Sequence, residues 1–437
     1  MPTDFSTYRT SDHANRNLNH GEEAFCLPIQ NVHAPEHGSL VELLCHTLCN
    51  PQKRQAMEQL VGDHAQLIAD FLQSILLVSA HPTPWFRKHC LIALYKLCKA
   101  CMIFPRGYIL ADIQRGLPVA GTSFCDIYQG TFGKEVLCLK VLRVFQEGDS
   151  LNMMKILTKE AILWGQLDHP NVTPFYGVYF LESPLRQICL VSPWMENGNL
   201  TIYLRTNPHA PREPLIYDIA SGLAYLHREN IIHGDLKGTN VLVSRNGDAC
   251  ITDFGLSSVF TSNTIAYPDG ISSITGCTYR WLAPEFLSNI SRRSKPGDIW
   301  AFGCVCYEYT HQALTRKAPF YECQTDYQVI IKLMNGHQPT RPNENSGTGL
   351  DQISDEMWTL VNTFWKQDPS NRPTCERTLL MLGQQGPFNF LRGSTDSRIP
   401  QASRELDPII VQFDRLEVEQ ILRQVAYLCS FYINKQH

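Results

Sequence analysis

The sequence has 437 residues, of which 43% are hydrophobic and 18% charged, and a formal net charge of -4. Such a length exceeds one small core and fits roughly two to four. The composition excludes a fibrous or wholly disordered chain, and the slightly acidic balance argues against a strongly basic nucleic-acid binder.

Sixteen cysteines are scattered through the chain, mostly inside apolar runs such as Cys304-Val-Cys306, the usual pattern of reduced core thiols. Only Cys98-Lys-Ala-Cys101 has metal or redox spacing. It falls in a helical pattern on a face shared with Leu94 and Tyr95, so core packing is expected. The start, "MPTDFSTYRT", lacks a cationic stretch followed by an apolar one, and no uncharged run approaches the roughly 20 residues that span a bilayer. The expectation is an intracellular, cytoplasmic chain with no membrane span.

Residues 1–37 are polar, carry no period and read as a mobile tail. Three helical patterns follow within 38–107: "LVELLCHTL", then "HAQLIADFLQSILL" with Leu67, Ile68, Phe71, Leu72, Ile75 and Leu76 on one face, then "FRKHCLIALYKLCKACMIF". After Arg106 the period changes to two in "PVAGTSFCDIYQGTF", "EVLCLKVLRVF" and "QICLVSPWM", with one helical pattern, "LNMMKILTKEAILWGQL", between the second and third. From Asn199 to about Phe390 the long patterns are mainly helical, broken by strand-like pieces near Ile231 and Ile251. Residues 393–437 read as a linker leading to an amphipathic helix with Val418, Ile421, Leu422, Val425, Leu428 and Tyr432 in its apolar stripe.

One stretch breaks an apolar run for chemistry-bearing side chains: "IIHGDLKGTNVLV" holds Asp235, Lys237 and Asn240 on a short loop between two β-like pieces. A plain turn would also use Asp and Asn. Thirteen residues beyond Asn240 stands Asp253-Phe254-Gly255, and farther on Ala283-Pro284-Glu285. In order, spacing and context this set resembles the eukaryotic protein kinase family, from Leu110 to about Phe390. The wording of "GCTYRWLAPE", "HPNVTPFYGV" and "SPWMENGNL" is similar to the tyrosine-kinase-like group of serine/threonine kinases, and H-G-D-L-K-G-x-N to a variant abundant in mushroom-forming fungi.

The resemblance implies an α+β bilobal protein kinase fold over 108–392, with an antiparallel-sheet N-lobe carrying one helix and a mainly helical C-lobe, preceded by the helical segment. It implies ATP and magnesium as cofactors and a protein substrate phosphorylated on serine or threonine. Asp235 would accept or orient the hydroxyl proton, with Lys237 beside it, while Asn240 and Asp253 supply hard oxygen ligands for magnesium. Lys140, in the place of the family's β3 lysine, would pair with the nucleotide phosphates and with Glu160, twenty residues on. Ser192 takes the gatekeeper place; Pro193 and Met195 face adenine, the Met195 N–H donating. Glu285 and Arg372 would form a buried ion pair, and Asp298 would hold the catalytic-loop backbone.

Two departures qualify the resemblance. With Ile127 in the valine place of the glycine loop, the three glycine places are Ala120, Thr122 and Cys125, and the only nearby glycine, Gly121, is displaced by one. Cys138 replaces the small residue that packs on adenine. Gly234 stands where the family usually has the arginine that pairs with a phosphate on the activation loop, so control by the hydroxyls between Ser257 and Thr275 should lose a lever. The degraded loop motivates an alternative, a pseudokinase scaffold; the retained Lys140, Glu160, Asp235, Asn240 and Asp253 favour catalysis. The N-terminal helices are the expected place for a regulatory protein partner.

Overall fold

The computed structural model describes residues 38–77, 83–121, 125–142, 149–181, 187–253, 258–259, 279–287, 293–310, 318–341, 354–384 and 412–433. The 1–37 tail, Thr122, the Phe254-Gly255 pair, the 260–278 hydroxyl cluster and the 393–411 linker of the sequence reading lie outside the described residues. The chain forms two compact units, one of Met1–Cys101 with Gln412–His437 and the other of Met102–Val411.

The first unit is helical. It opens with α1 (Gly38–Cys49), α2 (Pro51–Glu58), α3 (Gly62–Leu77) and α4 (Pro84–Cys101). The apolar face expected on α3 is buried, with Ile68, Phe71 and Leu72 all at zero exposure. Helix α2 was not legible from hydrophobic period, because it is a polar octapeptide; its start is fixed locally by the Asn50 side chain, which accepts from the Gln52 and Lys53 N–H groups, and by Pro51 at the first helical position. Cys98 is buried, and the Cys101 thiol donates to the Leu60 carbonyl at 3.0 Å, a packing role for the pair. Twelve described cysteines are free thiols. Cys49 departs from the expected reduced set, being disulfide-bonded.

The second unit begins with a six-stranded sheet, built from β1 (Ile109–Leu110), β2 (Gln114–Gly121), β3 (Cys125–Phe132), β4 (Glu135–Leu142), β5 (Gly177–Leu181) and β6 (Gln187–Pro193), with α5 (Asp149–Trp164) between β4 and β5. The spatial order is β1-β5-β6-β4-β3-β2. "PVAGTSFCDIYQGTF", which reads as one β-like run, is two antiparallel strands joined at 122–124, with Ala120 opposite Ile127 and Gly121 opposite Asp126. Alternation on β4 sends Leu137, Leu139 and Val141 into a core with Val191, Cys189 and Tyr176, so Cys138 and Lys140 face the other way. Strands β1 and β5 escaped the sequence reading because two and five residues give too short a period to detect.

Helices α6 (Leu200–Thr206) and α7 (Glu213–Arg228) lead to short strands β7 (Ile231–Ile232), β8 (Val241–Val243), β9 (Ala249–Ile251) and β10 (Ser258–Val259), followed by α8 (Lys295–Thr310), α9 (Asp326–Met334), α10 (Asp355–Phe364) and α11 (Cys375–Gln384). Their core is aromatic: Trp300, Phe302, Tyr307, Phe364 and Trp365 are fully buried. The last helix, α12 (Arg415–Ile433), belongs to the first unit, where Val418, Ile421, Leu422 and Val425 are buried and α12 packs on α1, α2 and α3. No helix among the described residues is long and apolar enough to cross a membrane.

Candidate active site

The loop that interrupts the apolar run lies between β7 and β8. Ile231 and Ile232 are buried on one side and Val241 and Val243 on the other, so both ends of the loop are fixed. Asp298, in the first turn of α8, holds its backbone from below: one carboxylate oxygen accepts the His233 N–H at 2.9 Å and the other the Gly234 N–H at 2.8 Å. His227 on α7 adds its Nε2 to Asp298 at 2.8 Å, and the Cys375 thiol lies 3.3 Å from Nδ1 of that ring. Burial alone would raise the Asp298 carboxyl, but the His227 hydrogen bond, the two histidines and the Gly234 N–H hold it below the usual carboxylate range. His227 carries no motif signal; it was invisible in the sequence because its partner is 71 residues away.

Gly234 has φ of 79°, the left-handed region in which an L side chain is strained. The glycine in the family's arginine place therefore has a backbone reason: it lets the peptide present its N–H to Asp298 without a Cβ penalty. His233 closes the other side. Its Nδ1 accepts the Asp235 N–H at 3.2 Å, which leaves Nε2 as the proton donor to the Thr252 carbonyl at 2.9 Å.

On this scaffold Asp235, Lys237 and Asn240 converge. Lys237 Nζ is 2.8 Å from Asp235 Oδ2, and Asn240 Nδ2 donates to the same oxygen at 3.1 Å and to the Asp235 carbonyl at 2.8 Å. The other oxygen, Oδ1, is buried and makes no hydrogen bond among the described residues. A carboxylate tied down through one oxygen and unpaired at the other keeps the capacity to accept one further proton donor.

Asn240 and Asp253 are brought side by side by the β8–β9 ribbon: Val241 pairs with Ile251, and the Thr252 N–H reaches the Asn240 carbonyl at 3.0 Å. Asp253 has φ of 69°, a left-handed conformation uncommon outside glycine, although aspartate adopts it more readily than most residues. Its side chain is 45% exposed and its Oδ1 is 2.8 Å from Lys140 Nζ. Lys140 also reaches Glu160 Oε1 at 2.8 Å, and Glu160 is only 2% exposed. Burial alone would lower the Lys140 ammonium, but the Asp253 and Glu160 carboxylates outweigh it and hold the pKa well above the ordinary lysine value. Lys140 draws Asp253 below the carboxylate range, whereas burial pushes Glu160 up despite the lysine. Glu160 faces inward because its helix buries Leu157, Ala161 and Trp164 on the same side.

The donor set fits magnesium. Asn240 commits its amide nitrogen to Asp235, which leaves its carbonyl oxygen as the atom that would coordinate, and Asp253 offers a carboxylate with solvent access; this ion takes one or two carboxylates and completes its shell with phosphate oxygens and water.

The positions that the resemblance assigns to the nucleotide are less uniform. Ser192 is buried at the end of β6 opposite Cys138. Pro193 pairs with Leu137, the Trp194 N–H is used by the Val136 carbonyl at 3.0 Å, and the Met195 carbonyl accepts the Gly198 N–H, so the Met195 N–H is the donor left for a ligand. Burial pushes the Cys138 thiol up to about 11, against the pull of the Ser192 hydrogen bond, which keeps it protonated and unreactive at neutral pH. Cys125 is buried at the start of β3, beneath the hairpin that carries Ala120 and Gly121. Away from these positions, Arg372 makes a two-pronged pair with Glu285 at 2.7 and 2.8 Å, its own side chain fully buried.

Comparison with known proteins agrees with this geometry. Residues 114–382 match the family model described as protein tyrosine and serine/threonine kinase. The chain is 29% identical over 269 residues to serine/threonine-protein kinase STY46 of Arabidopsis thaliana, covering 60% of this chain and 42% of that protein. It is 29% identical over 272 residues to tyrosine-protein kinase ABL2 of Mus musculus, covering 61% and 21%. With cytoplasmic tyrosine-protein kinase BMX of Homo sapiens it shares 31% over 227 residues, covering 51% and 30%. The chain thus spans less than half the length of these relatives. Through a match that takes in the whole of the site just described, the chain belongs to the protein tyrosine and serine/threonine kinase family.

Proposed function

We propose that the chain is an active serine/threonine kinase of the tyrosine-kinase-like group, transferring the γ-phosphoryl group of ATP to protein hydroxyls in signal transduction. The observation that carries this reading is Asp235, held through Oδ2 by Lys237 and Asn240 while Oδ1 makes no hydrogen bond among the described residues. ATP and magnesium supply the transferable phosphoryl group and the neutralising charge when bound. Lys140, kept charged by Asp253 and Glu160, holds negative phosphate oxygens; Asn240 and Asp253 hold the metal; Asp235 orients the acceptor and takes its proton. Lys237, next to the acceptor position, supports the choice of serine and threonine, since the resemblance puts a different triplet after the aspartate in tyrosine kinases.

A regulatory protein partner acting through the helical unit and a cytoplasmic location complete the proposal. The substituted glycine places favour a second reading, a binding module without transfer. Phosphoamino-acid analysis of a peptide library incubated with radiolabelled ATP and magnesium tests both. Label on serine and threonine is expected; label on tyrosine alone would refute the acceptor choice, and ATP binding without label would favour the binding module.

A further inference from the structure

Glu160 lies near the end of α5, and what holds that end is a segment none of the kinase motifs includes. Tyr108 is fully buried, although it belongs to the short stretch between Cys101, the last residue of α4, and β2. Its hydroxyl accepts from Gln166 Nε2 at 3.0 Å, just beyond α5, and its ring meets Phe175 edge-on with centroids 5.4 Å apart. A Cβ at Gly165 would collide with the Tyr108 hydroxyl, and one at Gly177 with the Tyr108 carbonyl oxygen. Gly165 thus leaves room for this side chain and Gly177 for its backbone.

The segment that carries Tyr108 is part of the sheet. Its N–H bonds the Pro105 carbonyl at 3.0 Å, and the next two residues pair in parallel with Val178 and Tyr179 of β5. Trp164 Nε1 also donates to the Thr173 carbonyl at 2.6 Å, which holds the helix end at a second point. Gly165 continues the helical hydrogen bonding to the Ala161 carbonyl at 2.9 Å. Five residues from Glu160 to Gly165 span about 7.5 Å of helix, too short to absorb a displacement. A shift of about 1 Å along the 2.8 Å Lys140–Glu160 contact would carry it out of hydrogen-bonding range.

We propose that Tyr108 is a positioning residue for phosphoryl transfer: by wedging the end of α5 it sets Glu160, and through Glu160 it sets Lys140. This rests on the kinase reading above.

The test is an epistasis measurement on the full chain. Tyr108→Phe removes only the hydroxyl and is expected to lower kcat/KM about three- to tenfold. In a Glu160→Gln background, where the charge it positions is gone, the same change should cost less than about twofold. An equal loss in both backgrounds, or none in the wild-type background, overturns the proposal. Should Tyr108→Phe fail to fold, Gln166→Leu reads the same contact. If the wild-type chain transfers no phosphate, the kinase reading fails, and hydrogen exchange at the α5 amides 157–164 still decides the positioning: faster exchange in Tyr108→Phe supports it, unchanged exchange defeats it.

Discussion

Replacing Glu160 by glutamine separates the electrostatic role of the Lys140–Glu160 contact from its packing role. The amide keeps the volume and an acceptor 2.8 Å from Lys140 Nζ, and removes the charge. Lys140 stays charged and keeps a charge-assisted hydrogen bond to the amide, so what is lost is the carboxylate's ionic contribution, about 1–2 kcal/mol of phosphate positioning. At 1.36 kcal/mol per decade that is about a five- to thirtyfold fall in kcat/KM. Lys140 retains Asp253 at 2.8 Å, which keeps the loss short of total. Stability should move the other way: Glu160 is 2% exposed and burial pushes its carboxyl up, so the neutral side chain is the easier one to bury, and the thermal midpoint should hold or rise. Steady-state transfer of labelled phosphate and thermal denaturation on the same preparation read both numbers. Activity within about twofold of wild type, or a large drop in the midpoint, would refute the reasoning.

Other sites give independent outcomes. Glu285→Gln leaves the fully buried Arg372 guanidinium without its counter-charge but still bonded to the Lys366 and Pro296 carbonyls, so a loss of about 2–3 kcal/mol and about 5–10 °C is expected by calorimetry. Asp298 has a depressed carboxyl pKa, so its contribution is complete above the ordinary value near about pH 4 and is lost as pH falls through the folded value; Asp298→Asn should lower stability at neutral pH and flatten the acid limb of a denaturation series. Gly234→Ala forces a side chain to φ of 79°, and a cost of about 1–2 kcal/mol should appear as a shift in the urea midpoint at constant slope. An unchanged midpoint would mean that conformation is not why glycine is there.

Legibility followed the range of the interactions. The catalytic loop, the Asp253 segment and the Ala283-Pro284-Glu285 turn were readable because their residues are close in sequence and their spacing is set by one loop or one ribbon. Lys140 and Glu160 were readable for a related reason: strand alternation and helix period each fix a facing, and the two facings meet. His227 and Tyr108 were not, because a buried histidine and a buried tyrosine look like core residues until partners 71 and 58 residues away are known. The same limit left open whether α12 covers the N-terminal helices or the kinase-like region: an apolar stripe states that a face is covered, not by what. Helix α2 shows the converse case, an element held by its cap and not by a hydrophobic face. Gly234, a puzzle as a missing arginine, is explained in part by a backbone angle that no sequence pattern displays.

The central claim is that Asp235 handles the proton of a protein hydroxyl while Lys140, Asn240 and Asp253 hold the phosphate and metal. Its most direct test is transfer of labelled γ-phosphate to a serine/threonine peptide library by the full chain and by Asp235→Asn, with ATP binding followed in parallel by thermal shift in the presence of magnesium. The account predicts label with the wild-type chain, a fall of about a hundredfold or more in the variant, and a similar ATP-induced shift in both. Equal labelling by the two proteins, or none by the wild-type chain, would contradict it.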